Sequence, residues 1–75
     1  MNINEVKCID AKDIVNQTVK IEEIQGKYVV IHDRSLSEKF NNLNRAICLM
    51  AEKEWKCVNI TFGANVYLYA LMEKI

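Results

Sequence analysis

The hydrophobic positions between residues 36 and 53 repeat with the period of an α-helix. Apolar side chains recur there at spacings of four, three, four and three, at Leu36, Phe40, Leu43, Ile47 and Met50. This spacing places them on one side of a helix, and the charged residues of the stretch fall mostly on the other side. The pattern therefore predicts one amphipathic helix from Leu36 to about Lys53.

Alternation of apolar positions predicts strands on both sides of this helix. The run KYVVIHD precedes the helix, and the runs KCVNITF and VYLYALMEKI follow it. In KCVNITF, strict alternation puts Val58, Ile60 and Phe62 on one face and Cys57, Asn59 and Thr61 on the other. The last run divides into two apolar sets: Val66, Leu68, Ala70 and Met72 on one face, and Tyr67, Tyr69 and Leu71 on the other. This strand therefore requires cover on both sides, and one helix covers only one of them.

The first 25 residues allow more than one interpretation. The run QTVKIEEI predicts a strand that is joined to KYVVIHD by a tight hairpin at Gln25 and Gly26, because glycine suits the positive φ of such a turn. The spacing of Ile14, Thr18, Ile21 and Gln25 is also compatible with a helix. Asp10 can cap a short helix near residues 10–17, and NINEVKCI is either an edge strand or an arm.

Together these elements predict a single α+β domain over residues 1–75, with an antiparallel sheet of about four strands in the order β-β-α-β-β. The main amphipathic helix packs on one face of that sheet. The chain has 75 residues, of which 51% are hydrophobic and 27% charged, which is typical of a globular domain. So short a chain buries roughly 60% of its unfolded surface, and a partner subunit is a common source of additional stability.

Charge and composition restrict the compartment and the partners. Ten basic and ten acidic residues cancel, so no basic surface for nucleic acid is expected. No apolar run approaches the roughly 20 residues of a membrane helix, and the N-terminal stretch has no signal-peptide pattern. Three cysteines fit a reducing compartment, where we expect them as buried or half-buried free thiols in a cytoplasmic protein. The abundance of Ile, Lys and Asn is typical of a prokaryotic, AT-rich genome.

The stretch IHDRSLSEKF concentrates polar side chains and invites a catalytic interpretation. Ser35 and Glu38 have the spacing of a capping box, and Asp33 precedes the positive end of the helix, so we interpret the stretch as a helix start. A nucleophilic triad is disfavoured because His32 and Asp33 point to opposite faces of a strand. Arg34 and free N–H groups at the helix start are an alternative site for an anion. No catalytic residue is assigned, and we expect no enzyme activity.

Four residues have the side chains of a metal site, and one aromatic residue could stack on a ligand. Three cysteines and one histidine make up the composition of a zinc site, namely Cys8, Cys48, Cys57 and His32. They lack the close pairs that structural zinc sites use, and a disulfide between Cys48 and Cys57 is disfavoured, so no metal or cofactor is expected. Trp55 follows the helix and more often closes the end of a core than stacks on a ligand.

The apolar residues Tyr67, Tyr69 and Leu71 are the best candidates for a functional surface. A second copy of the chain, the interior of the monomer, or another protein or ligand could cover them. We favour a homodimer that acts as an interaction or regulatory module. The alternative is a module that binds a small ligand, such as an anion, at a site near the helix start and Trp55. Its candidate residues are His32, Arg34, Ser35 and Trp55.

The last 50 residues or so resemble a small uncharacterised prokaryotic domain family. Its members have a strand, an amphipathic helix that ends in glycine-tryptophan, and a closing hairpin with a Y-x-L-x-K-like run. The matching residues are Trp55, Val58, Tyr69, Leu71 and Lys74. Glu54 stands where the family has a glycine suited to a left-handed helix cap, so the helix is expected to end in a different turn. The resemblance implies the fold and carries no activity.

Overall fold

The computed structural model describes residues 7–34, 41–63 and 67–75. Its strands are β1 (Lys7–Asp10), β2 (Tyr28–Arg34), β3 (Trp55–Phe62) and β4 (Tyr67–Lys74). Its helices are α1 (Ala11–Val15) and α2 (Asn41–Ala51), and Ile21–Glu23 form one 3₁₀ turn. The predicted α+β class, with a four-stranded sheet and one main helix, is confirmed.

The sheet is mixed, which corrects the expected antiparallel arrangement. The strand order is β1-β2-β4-β3, with β1 parallel to β2 and the other neighbours antiparallel. The run QTVKIEEI is not a strand, because parallel strands need a long crossover and this run supplies part of it. Gly26 does adopt a positive φ of 90°, but it leads from the crossover into β2. The edge-strand interpretation of NINEVKCI holds for its residues from Lys7 onward.

The crossover begins with the short helix that the sequence predicts. Asp10 is the N-cap of α1, and its carboxylate accepts a hydrogen bond of 2.9 Å from the backbone N–H of Lys12. This bond satisfies one of the free N–H groups of the first turn. Ala11 and Ile14 are buried against the rest of the core, so α1 holds the crossover against α2.

The core lies between the helices and one face of the sheet. From α2, Leu43, Ala46 and Met50 are buried and Ile47 is half-buried, as the helical repeat predicts. Leu36, Phe40 and the proposed capping box from Ser35 to Glu38 lie outside the described residues. The other buried apolar residues are Ala11, Ile14, Ile24, Val29, Ile31, Trp55, Leu68, Ala70 and Met72. Among the described residues, no helix is long and apolar enough to cross a membrane.

A carboxylate fixes the start of α2 to β2. Asp33 is only 5% exposed, and its Oδ2 accepts a 3.0 Å hydrogen bond from the backbone N–H of Leu43. The expectation that Asp33 favours the positive end of the helix is therefore met by a direct bond. Because Asp33 also pairs with Leu68 of β4, one side chain joins the helix to the middle of the sheet.

The end of α2 corrects the prediction drawn from Glu54. This residue has a φ of 68°, so it adopts the left-handed conformation for which glycine is favoured. The helix is therefore followed by a left-handed turn at Glu54, although the lack of a glycine there had predicted a different turn. The Glu54 carbonyl accepts a 2.8 Å hydrogen bond from the N–H of Ile75, which holds the turn against the end of β4.

Candidate interaction surface on the outer sheet face

The side of the sheet turned away from α2, here called the outer face, is lined by alternate residues of β2 and β4. The strand register sets three cross-strand pairs next to one another: Val30 with Leu71, His32 with Tyr69, and Arg34 with Tyr67. All of these except Arg34 are half-buried. No helix of the described chain packs on this side, because both helices lie on the face that carries Val29 and Ile31.

Three rings form an aromatic cluster on the outer face. The centroid of His32 lies 6.0 Å from that of Tyr67, in an edge-to-face arrangement, and 6.3 Å from that of Tyr69. The rings of Tyr67 and Tyr69 stack with centroids 5.9 Å apart. Such pairs each contribute about 0.5–1.5 kcal/mol beyond their buried area. The cluster therefore holds its own shape and presents a preformed surface.

A cation extends this aromatic cluster toward the end of β2. The Arg34 guanidinium carbon lies 5.7 Å from the ring centroid of Tyr67. A cation over a ring at an exposed position is worth about 0.5–1 kcal/mol. Arg34 is thereby kept over the aromatic surface, where it can also face a carboxylate or carbonyl of a partner.

Gly63 determines where the ring of Tyr69 lies. A Cβ atom at Gly63 would overlap Cε2 of Tyr69 and would stand 3.1 Å from its Cδ2. The ring therefore occupies the space that a side chain at residue 63 would take. The glycine is required for close approach, and its φ lies outside the left-handed region.

A polar network borders the outer face at the opposite end of β4. The Tyr28 hydroxyl donates a 2.9 Å hydrogen bond to Glu73, and the ammonium groups of Lys56 and Lys27 lie 3.3 Å and 3.5 Å from the same carboxylate. The hydrogen bond from Tyr28, followed by that from Lys56 and the two lysine charges, holds the pKa of Glu73 below its usual range. The network joins β2, β3 and β4 through one ionised group.

The residues of the alternative ligand site are only partly brought together. His32 and Arg34 are neighbours on the outer face, and Ser35 lies outside the described residues. Trp55 is 2% exposed and packs in the core, as the core-closing interpretation predicts. It pairs with Lys74 at the end of the sheet away from Arg34 and Tyr67, a separation of roughly 20 Å along the strands.

Neither a catalytic dyad nor a metal cluster is formed by the described residues. His32 pairs with Tyr69 on the outer face, whereas the adjacent Asp33 is buried on the helix side. Within residues 7–34, 41–63 and 67–75, no three His, Cys, Asp or Glu side chains converge.

The three cysteines are exposed, which corrects the expectation of buried or half-buried thiols. Partial desolvation raises the pKa of Cys8 and of Cys57, and the nearby Asp10 carboxylate raises that of Cys8 further. A raised pKa leaves less thiolate at neutral pH, so these two thiols are not activated as nucleophiles.

The structure also reveals exposed apolar side chains that the sequence patterns did not single out. On β3, Val58 is 50% exposed, Ile60 45% and Phe62 83%. Alternation predicts which side chains share a face, but it carries no information on whether that face is covered. Their exposure follows from the strand order, because β3 is an edge strand of the described sheet, and alternation along one strand does not reveal that order.

A bulge changes the predicted faces of β3. The register shifts between Cys57 and Asn59, so Cys57 pairs with Met72 and Ile60 pairs with Ala70. Met72 and Ala70 are both buried on the helix side, which places Cys57 and Ile60 on the same face. Strict alternation had put them on opposite faces, and the extra residue of the bulge is the reason.

Comparisons of this chain with protein-family models, with curated proteins and with solved structures gave no match.

Proposed function

We propose that this chain is a non-enzymatic interaction module that forms a homodimer through its outer face. The observation that carries the proposal is the preformed aromatic cluster of His32, Tyr67 and Tyr69, on a sheet face that no helix of the described residues covers. Aromatic residues and arginine are the side chains most enriched at the centres of protein interfaces.

The layout of the outer face supports association with a second copy. Apolar side chains occupy its middle at Val30 and Leu71, and the aromatic cluster lies beside them. Charged groups lie at its ends, with Arg34 at one end and the Glu73 network at the other. In an antiparallel, two-fold arrangement of two copies the apolar middles meet, and the charged groups stay at the solvated rim of the contact.

The test is the mass of the assembly in solution. In dilute solution we expect the purified wild-type chain to sediment and to appear in native mass spectrometry at twice its mass. Tyr69→Glu places a charge in the middle of the outer face and is expected to give a monomer at the same dilution. Ile75→Glu is the matched control, since it makes the same kind of change at a residue that is 78% exposed and lies beyond the last residue of β4, at the end away from Tyr67.

A second variant distinguishes loss of association from loss of folding. In Tyr67→Glu the new carboxylate faces Arg34, its register partner, so the monomer gains an ion pair where it loses a ring. This variant is expected to remain folded by circular dichroism and to be monomeric. Wild-type mass retained in both Tyr67→Glu and Tyr69→Glu contradicts the outer-face dimer, and a monomer that carries extra mass favours the ligand-binding alternative instead.

A further inference from the structure

The free edge of β3 carries backbone groups that point away from the sheet. The N–H of Gly63 donates to the carbonyl of Tyr67 at 2.9 Å, so residues 63 and 67 are a hydrogen-bonded pair. Hydrogen-bonded and non-hydrogen-bonded pairs alternate along an antiparallel ladder. The pairs of Phe62 with Leu68 and of Ile60 with Ala70 are therefore non-hydrogen-bonded. The N–H and C=O groups of Ile60 and Phe62 consequently face outward, where the described sheet has no further strand.

The side chains beside these groups are apolar and uncovered. Phe62 is 83% exposed and Ile60 45% exposed, and both lie on the helix side of the sheet. The buried residues of α2 (Leu43, Ala46 and Met50) belong to the core, whereas Ile60 and Phe62 do not. A long apolar edge strand is an association site unless something blocks it.

The blocking features of β3 cover only part of the edge. The bulge at Cys57 and Asn59 interrupts the regular strand, and the Asn59 side chain accepts a 2.9 Å hydrogen bond from the N–H of Ile60. That bond is made by an exposed side chain and can be exchanged for a backbone carbonyl. The segment from Ile60 to Phe62 follows the bulge and is regular, so it remains available for pairing.

The other edge of the sheet does not suit this segment. The edge strand β1 has four residues and continues directly into α1 at Ala11. A head-to-tail contact of β3 on β1 would therefore have little strand to pair with. In contrast, two β3 edges can pair with each other about a two-fold axis, which closes the assembly. The only charged residue of β3 is Lys56, so the two lysines of such a pair lie at opposite ends.

We infer that the free edge of β3 pairs antiparallel with β3 of a second copy, which joins the two sheets into one of eight strands. Ile60 of each copy lies opposite Phe62 of the other, so each such pair exchanges both of its backbone hydrogen bonds. On the helix side, an aromatic and a β-branched side chain meet in each pair, which is a favourable cross-strand combination. This contact uses the edge and is separate from the proposed outer-face contact. It involves only three residues of each edge strand, so it forms at higher concentration: dilute solution contains the outer-face dimer, and concentrated solution contains larger assemblies.

Amide hydrogen exchange of Phe62, followed by NMR over a concentration series, tests the edge pairing. At high concentration we expect this amide to exchange at least tenfold more slowly in the wild-type chain than in Ile60→Lys, and the difference should disappear on dilution. Ile75→Lys is the matched control, because it replaces another exposed isoleucine, which lies after β4 and away from the β3 edge, and it should retain the protection. Equal exchange rates in wild type and Ile60→Lys at high concentration overturn the inference. Equal exchange rates are also expected if the β3 edge binds only a different protein, and that outcome likewise contradicts pairing with a second copy.

Phe62→Pro provides a second test, which adds no charge to the β3 edge. In Phe62→Pro the missing N–H faces away from β4, so no ladder bond within the chain is lost, yet the pairing with a second copy loses a donor. Phe62→Ala retains the N–H and is its control. We expect the proline variant to lose the edge contact and the alanine variant to weaken it less; an unchanged assembly mass in the proline variant counts against the pairing.

The Tyr69→Glu variant separates the two proposed contacts. It disrupts the outer face and leaves β3 unchanged, so concentration-dependent protection of the Phe62 amide should persist in it. If the Tyr69→Glu variant keeps both the Phe62 protection and the assembly mass of the wild type, the outer-face dimer is refuted and the edge pairing is not. Protection that vanishes in Tyr69→Glu would refute edge pairing as an independent contact.

Discussion

The ring of Tyr69 lies against Gly63 so closely that a single methyl group at residue 63 would overlap its Cε2 atom. The two residues lie on neighbouring strands of the closing hairpin, and the glycine leaves the space that the ring fills. Through this contact, a residue with no side chain determines the position of the aromatic cluster on the outer face.

Gly63→Ala is therefore expected to move the ring of Tyr69 and to weaken association. Forcing extra volume into a packed site costs about 1–3 kcal/mol of unfolding free energy. Sedimentation should show a larger dissociation constant for this variant, and urea unfolding should show the loss of stability.

Gly26→Ala is the matched control for that prediction. Gly26 has a φ of 90° and open space around it, so alanine there strains the backbone by about 1–2 kcal/mol without touching the outer face. It should lower stability and leave the dissociation constant of the folded protein unchanged. Equal effects of the two alanines on association would contradict the role given to Gly63.

Asp33 is expected to be the polar residue whose loss destabilises the chain most. Asp33→Ala leaves the N–H of Leu43 buried without its acceptor, which costs about 1–3 kcal/mol. Asp33→Asn retains an oxygen at the same place and should cost less. Chemical unfolding of both variants checks this order, and an asparagine variant less stable than the alanine variant would contradict it.

Glu54→Gly is expected to stabilise the chain. A residue with a side chain costs roughly 1–2 kcal/mol in the left-handed conformation, and Glu54 adopts it with a φ of 68°. Glycine relieves most of that strain and gives up some entropy in the unfolded chain, so a net gain of about 1 kcal/mol is expected from thermal or urea unfolding. Glu54→Ala keeps the strain and serves as the control; a glycine variant no more stable than the alanine variant would refute the argument.

The Glu73 network predicts a pH dependence of stability. The pKa of this carboxyl is lowered in the folded chain by the hydrogen bond from Tyr28, by Lys56 and by the nearby charge of Lys27. A lowered folded-state pKa stabilises the fold above the unfolded-state pKa, about 4.3 for glutamate, and the stabilisation is lost as the pH falls through the folded-state value.

The measurement is the unfolding free energy of wild type and of Glu73→Gln at several pH values. Wild type should be the more stable of the two at pH 7, and the difference should shrink as the pH falls below about 4. A difference that stays constant down to pH 2 would show that the charge of Glu73 makes no contribution.

How far the sequence predicts this structure depends on where the deciding interactions lie. The alternation of β4 is visible in the sequence because a buried face and a half-buried face differ at every second residue, from Leu68 to Met72. Likewise, the stripe of α2 follows from the spacing of Leu43 and Met50 alone. The cap at Asp10 is equally local, since its carboxylate accepts a hydrogen bond from the backbone N–H of Lys12, two residues further along the chain.

The parts that the sequence did not predict depend on contacts between distant segments. Whether residues 17–24 form a strand is decided by the parallel pairing of β1 with β2, which turns that run into a crossover. The bulge at Asn59 and the left-handed turn at Glu54 are set by the register of β3 on β4. For the candidate surface, the pattern predicted the tyrosine face, but the strand order alone places Ile60 and Phe62 at an open edge.

The strand order also constrains how this domain is made during protein synthesis. The strand β4 follows the other described strands in the sequence, yet it lies between β2 and β3. Until β4 has emerged from the ribosome, β2 and β3 lack their shared antiparallel neighbour, and the core lacks Leu68, Ala70 and Met72. The nascent chain therefore carries its apolar segments unpaired until the final strand emerges, and a chaperone that binds such segments has its longest opportunity just before that moment.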